Sequence, residues 1–527
     1  MASFILNHLA DIHWWNIADF IVGFLFVYLL FWGRSNKLFK KNEYNEDFLS
    51  LDTMKSLRGF AAIGVILHHI SQQNYFQMNG ILSPFVNAGA YFVAIFFFCS
   101  GYGLLKSYDS KPGYLKKFIS KRIIKAIVLP FYIDVLLYGA FYAIVKIHLE
   151  KEQWIFNLTG LTMMNVYAWF PIVLTLLYLV FFLTFRFVRN RKVCFGIILG
   201  FILLMGIGTM IEGHCAWWTG PKNWWCSEYY YMNEAKWWMG EKIFWFHGEW
   251  WANSAPAFFT GLVFANYEKQ IIAFFKKDYK KRFLILFGIT ELCFLLSDFG
   301  QTKFGYWTEF NLKGPEIGNK IATYFCQFPL LLILPVTVFI FLMKYHVSNP
   351  VTRFFGKYSL HTYLMNLMAI QCLNFLQMAD ESSPFYMGHA HNNLLANALA
   401  VIALTVALGV LEYKITDTVR GWIYKDKVKP APAPYTRISL LAEENDVYAR
   451  KMNMFRGDLA GDDKTPLESQ KAAEKAEEKK AEKAEKTDKT EKTAKTEKAE
   501  QPAKKNAPAR NQSKSNQNKK KSNKKRK

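Results

Sequence analysis

Beyond Asp462 the chain has no Phe, Trp, Tyr, Val or Ile, and Leu467 is the only large apolar residue there. Such a stretch has too little apolar surface to offset the entropy of ordering itself, which excludes a packed domain. Acid is missing as well from Lys504 to the end, where eleven Lys and Arg stand with no Asp or Glu. These eleven make up about half of the formal net charge of +23. The basicity therefore reports a tail and basic loops beside anionic lipid, and no nucleic-acid partner is expected. Cysteine is scattered: Cys99, Cys194, Cys215, Cys226, Cys293, Cys326 and Cys372 include no CxxC pair of the zinc type. Most of them lie in apolar runs, where Cys behaves as a small hydrophobe.

What the chain does have is apolar surface: 52% hydrophobic and 17% aromatic residues, crowded before about Tyr424. A spanning helix needs roughly 20 mostly apolar residues. Eleven stretches qualify: 15–33, 57–75, 87–105, 123–146, 160–185, 193–211, 252–268, 283–299, 320–343, 358–377 and 392–413. The expected fold is an all-α polytopic membrane protein of about eleven transmembrane helices, with a charged C-terminal tail that is disordered or helical. The first stretch follows Asp11 and His13 rather than Lys or Arg, with no small-residue cleavage site after it, and so reads as a span and not a signal peptide. Basic clusters at Arg34–Lys41, Lys116–Lys125, Arg186–Lys192, Lys276–Arg282, Lys344–Lys357 and from Lys414 onward alternate onto one side. By the positive-inside rule that side is the cytoplasm, with the N-terminus outside and the tail inside. The organisation expected is an N-terminal helix and linker (1–50), a transmembrane domain (51–424) and a low-complexity cytoplasmic tail (425–527).

The outside loop 212–251 carries Trp217, Trp218, Trp224, Trp225, Trp237, Trp238, Trp245, Trp250 and Trp251. Indole rings anchor proteins at the headgroup level, the commoner use, and also stack on sugar rings. Cys215 and Cys226 share this loop and are placed for a disulfide on an oxidising face. His214 and His247 beside these cysteines fit no standard zinc spacing, and His389 and His391 with Asp380 and Glu381, in a further outside loop, offer metal ligands but read better as a solvated polar loop; no metal site is expected. Asp134, Glu291 and Asp298 fall within or near spans, as members of a proton path or as interface residues.

The stretch from Leu57 reads LRGFAAIGVILHHIS. Arg58 stands at its cytoplasmic mouth and His69 eleven positions on. Eleven steps of about 100° return to the same helix face, and at about 1.5 Å per residue His69 lies roughly 16 Å deeper. His68 points about 100° away. An ionisable residue at that depth normally faces a bundle interior or a water-filled cavity. Taken singly, Arg58 is a snorkelling helix-end residue and His69 a hydrogen-bonded core residue; the shared face favours function.

Arg58 and His69, with ten residues between, resemble the first-helix motif of the acyltransferase-3 family of membrane O-acyltransferases. FFFCSG at Phe96–Gly101 and GKYSLHTYLMN at Gly356–Asn366 are similar to two further segments of that family, and Arg122 lies where the family carries arginines. The resemblance covers roughly residues 50–420. Asn366 stands where the family often has His, and Asp417 where a Glu followed by Pro is more typical. The resemblance implies transfer of an acyl group, usually acetyl, from cytoplasmic acyl-CoA to a hydroxyl of an extracytoplasmic glycan or lipid-linked sugar. Acyl-CoA is then a substrate, and no bound cofactor is expected. His69 is the expected general base, with Ser100 as an oxyanion donor or simply a helix-packing serine beside Gly101. Arg58, Lys121, Arg122 and Lys125 are the expected contacts for donor phosphates. Cys99 as a covalent acyl carrier is the weaker alternative.

A transporter or flippase of a glycan or lipid-linked precursor is the rival reading, since buried charge among many spans is common to that class. The alternation of basic loops generates a direct expectation: a reporter fused to the C-terminus reads cytoplasmic and one inserted in loop 212–251 reads external. A C-terminal reporter on the outside overturns the span count.

Overall fold

The computed structural model describes residues 14–32, 37, 40, 42–73, 82–146, 151, 154–155, 158, 164–212, 250–305, 317–377 and 394–424. Their regular structure is entirely helical. The main elements are α1 (Trp14–Phe31), α2 (Leu51–Ser71), α3 (Gly89–Ser110), α4 (Ile119–Ile144), α5 (Trp169–Phe187) and α6 (Arg191–Glu212), then α7 (Pro256–Asn266), α8 (Glu268–Lys277), α9 (Tyr279–Phe304), α10 (Ile317–Leu342), α11 (Pro350–Gln377) and α12 (Leu394–Tyr424).

Each of the eleven apolar stretches holds helix, and among the described residues seven helices are long and apolar enough to cross a membrane. α2 and α11 are long but fall outside those seven; both carry charge near their starts and buried polar residues within. The stretch 252–268 is not one continuous helix: a turn of helix at Trp250–Asn253 precedes α7, which starts afresh with Pro256 in its first turn. At about 1.5 Å per residue α7 is roughly 16 Å long, half a hydrocarbon core. α8 was not foreseen; its Phe275 is buried while Lys276 and Lys277 close its last turn. The loop tryptophans 217–245, Cys215, Cys226, His214, His247, His389, His391, Asp380, Glu381 and the tail lie outside the described residues. Trp251 is described, and it is no interfacial anchor: it is fully buried, edge-on to Phe201 at 5.6 Å.

α4 opens as a π-helix over Ile119–Val128. The Leu129 N–H reaches back five residues to the Ile124 carbonyl. Pro130, next in line, has no N–H to offer the Lys125 carbonyl. That carbonyl instead accepts Arg420 Nη2 at 3.4 Å, which ties α4 to α12.

Glycines set how near the helices come. A Cβ on Gly59 would lie 1.8 Å from the Thr352 carbonyl oxygen, and one on Gly356 would lie 2.0 Å from that of Lys55. α2 and α11 therefore touch backbone to backbone. Gly101 and Gly261 form a second such pair between α3 and α7, with Cβ positions 2.1 Å from the Phe258 oxygen and 2.2 Å from the Phe98 oxygen. Before α2, the chain is strapped to the α10–α11 turn: Lys344 Nζ donates to the Lys40 and Glu43 carbonyls, both at 2.6 Å, beneath the Tyr44 ring.

Gly103, two residues beyond Gly101, has nothing within 4 Å of a Cβ position. Gly101→Ala is expected to lower the thermal unfolding midpoint in detergent, with an overpacking cost of about 1–3 kcal/mol, while Gly103→Ala leaves it unchanged or slightly raised. Equal midpoints for the two variants contradict the close approach of α3 and α7.

Candidate active site

α2 and α11 run parallel with one register. Gly59 faces Gly356, and ten residues further along both helices His69 faces Asn366. His69 is 6% exposed, Asn366 and Thr405 are fully buried, and the three form a chain. Asn366 Nδ2 donates to Thr405 Oγ1 of α12 at 3.0 Å, which leaves Asn366 Oδ1 to accept from His69 Nδ1–H at 2.8 Å. In this arrangement the imidazole is the Nδ1–H tautomer, with its lone pair on Nε2. Tyr167 lies flat against the ring, centroids 3.6 Å apart and planes 14° from parallel. The neighbouring His68 points elsewhere: its Nδ1 pairs with the Phe85 carbonyl at 2.8 Å, and its ring covers Gly89.

Tyr167 has its own support. Asn165 caps the turn before α5, its Oδ1 accepting the Tyr167 N–H at 3.1 Å. Asn165 Nδ2 donates to both carboxylate oxygens of Asp134, at 3.1 and 3.2 Å, and to the Leu364 carbonyl at 2.7 Å. Asp134 is fully buried on α4, so α4, α5 and α11 meet behind the ring that supports His69.

A second group of polar residues gathers around Arg58. Ser100 of α3 lies beside the Tyr178 hydroxyl of α5, in the neighbourhood of Arg58 and Arg122. Arg122 stands over the Tyr114 ring at 5.6 Å. Arg58 is half-buried, its Nε has no hydrogen-bond partner, and no carboxylate lies within ion-pair distance of it among the described residues.

The two groups repeat one interval. Arg58 and His69, Ser100 and Gly89, and Tyr178 and Tyr167 are each eleven residues apart. Three helical turns of about 16 Å therefore separate an Arg58 level from a His69 level. This corrects the expectation for Ser100: it stands at the Arg58 level, beside Tyr178, and not next to His69. Gly101 is the packing residue there. Among the basic residues, Arg122 joins Arg58; Lys125 turns to the Tyr424 ring at 3.8 Å, and Lys121 is exposed with no hydrogen bond or ion pair among the described residues. Asp134, Glu291 and Asp298 form no common path, since Asp134 is in the core while the other two are exposed on α9.

Sequence reading passed over Asn366, marked only as a departure from a family pattern, and Tyr167. It passed over the pair His361–Glu412 as well. His361 of α11 hydrogen-bonds Glu412 of α12, whose other oxygen accepts Thr416 Oγ1 at 2.9 Å. Glu412 is fully buried, whereas Asp417, the acid noted from sequence, is on the surface with Arg420 at 3.1 Å.

Asn366→Leu removes the acceptor for Nδ1–H and leaves a buried donor unmatched, at about 1–3 kcal/mol. With membrane abundance unchanged, the rate is expected to fall about tenfold to a hundredfold, and Thr405→Val, one bond further away, less. An Asn366→Leu enzyme at full rate rules out this hold on His69.

No curated protein and no solved structure matches the chain. A family model described as an acyltransferase domain matches residues 51–413, from the first residue of α2 into α12. Both levels and the helices that carry them lie inside that segment, and the chain belongs to the acyltransferase-3 family of membrane acyltransferases.

Proposed function

We propose that the chain moves an acyl group, acetyl in the simplest case, from cytoplasmic acyl-CoA to a hydroxyl of an extracytoplasmic glycan or lipid-linked sugar. The observation that carries this reading is the pair of levels: an unpaired, half-buried guanidinium about two turns into α2 and an oriented imidazole three turns further on. Arg58, with Arg122 near it, offers planar donors that match phosphate oxygens. Lys121 and Lys125 lie on the same segment and attract anionic donor at longer range. The thin arm of the donor then runs along α2 and brings its thioester to the His69 level.

There the acceptor hydroxyl gives its proton to His69 Nε2 as its oxygen attacks the thioester carbonyl carbon. The carbon–sulfur bond breaks, the ester remains on the acceptor, and the thiolate leaves and is reprotonated. Asn366 holds the protonated ring through Nδ1, and Tyr167 keeps it from tilting. Ser100 and Tyr178 belong in this scheme to the donor end, as hydroxyls beside the arginines.

His69→Gln is expected to lose about 10²–10⁴-fold in release of free coenzyme A thiol, because an amide accepts no proton at neutral pH. His68→Gln costs far less, and both variants are compared at equal membrane abundance. The wild-type rate falls on acidification, since a protonated imidazole is no base. Arg58→Lys raises the donor KM, because lysine keeps the charge and loses the fork. If both histidine variants retain full activity, transport of a glycan precursor replaces acyl transfer as the reading.

A further inference from the structure

Of the seven helices long and apolar enough to cross a membrane among the described residues, α9 is the least buried. It packs on α10 along one face, where Thr290 Oγ1 meets Thr337 Oγ1 at 2.7 Å, Ser297 is buried, and a Cβ on Gly300 would lie 2.5 Å from Cys326 Cβ. The opposite face carries Leu284, Gly288, Glu291, Leu295 and Asp298, at alternating steps of four and three residues. That spacing draws a straight seam along a helix wound against another helix. Leu284 is 57% and Leu295 61% exposed, Glu291 and Asp298 are exposed, and a Cβ on Gly288 would meet nothing within 4 Å.

Glu291 is the thirteenth of the 26 residues of α9. Lys280, Lys281 and Arg282 mark one end of the helix and Lys303 the other. Since about 20 residues cross the hydrocarbon, Glu291 stands at its middle, out of reach of either headgroup layer. Neither Glu291 nor Asp298 has an ion-pair partner among the described residues. Acids within membrane helices are rare outside bundle interiors and water-filled cavities because lipid solvates them so poorly. Here the acid is on the outside of the bundle, in the centre of a seam, next to a glycine that admits a close neighbour.

Charge decides what that neighbour is. A second copy related by a twofold axis along the membrane normal would set Glu291 against Glu291 and Asp298 against Asp298, like on like. A helix bearing a basic side chain satisfies the acid at mid-membrane. We propose that the Leu284–Gly288–Glu291–Leu295–Asp298 face of α9 docks a membrane helix of a partner protein that carries a basic side chain level with Glu291.

The full chain, labelled with an energy acceptor and reconstituted in phosphatidylcholine vesicles, is titrated with two donor-labelled synthetic helices of about 21 residues, mainly Leu and Ala, long enough for one span. One helix has a central Lys and the other a central Leu. The Lys helix is expected to associate about tenfold more strongly, the size of one good interhelical hydrogen bond. Glu291→Leu erases the difference, and Glu291→Gln, which keeps the shape of the side chain, reduces it; acyl transfer is the same in both. Equal association of the two helices overturns the proposal, as does a Lys preference that survives Glu291→Leu. Energy transfer between protomers that depends on Glu291 overturns it in favour of a second copy.

Discussion

Where Gly59 meets the Thr352 carbonyl and Gly356 meets that of Lys55, two helix backbones run in contact with no side chain between them. The contact admits one register. Carried ten residues along both helices, it delivers His69 to Asn366 at hydrogen-bonding distance. A slip by one residue would rotate both polar groups by about 100° and leave each buried without its partner. The small residues and the polar residues of α2 and α11 are thus parts of one device: the first fix the approach, and the second use it.

The polar residues also show how an apolar bundle accommodates a reactive group. Asn165 spends its amide on Asp134 and the Leu364 carbonyl and its oxygen on the Tyr167 N–H. Glu412 is divided between His361 and Thr416. Partners drawn from different helices make each of these groups a tie between elements as well as a satisfied donor or acceptor. Arg58 Nε is one of several buried polar atoms without a hydrogen-bond partner among the described residues, with Tyr363 Oη and Gln371 Oε1 among the others, and it stands beside Arg122 and Tyr178.

Sequence patterning reached the helices, since apolar runs of spanning length need no tertiary information, and it reached the common face of Arg58 and His69, since helical periodicity is local. It did not reach what depends on how helices meet. Asn366 is one of several asparagines until α2 and α11 are in register. Tyr167 lies just ahead of α5 and has no spacing relation to His69. Ser100 is on the span that follows His69, and the antiparallel run of α3 carries it to the Arg58 level. Periodicity likewise gives no sign of the π-helical start of α4, where the missing N–H of Pro130 is answered by an arginine about 290 residues later in the chain.

The matched family segment begins at residue 51, yet the fold does not begin there. Phe26 of α1 stacks on Phe60 at 4.2 Å and stands edge-on to Phe85 and Phe92 at 5.1 and 5.5 Å. The Leu29 carbonyl accepts Asn349 Nδ2 at 2.7 Å, at the threshold of α11. α1 thus wedges against the helix that bears His69 and latches the entrance of the helix that bears Asn366. A chain started at residue 51 would keep every residue of both levels and lose the brace that steadies them.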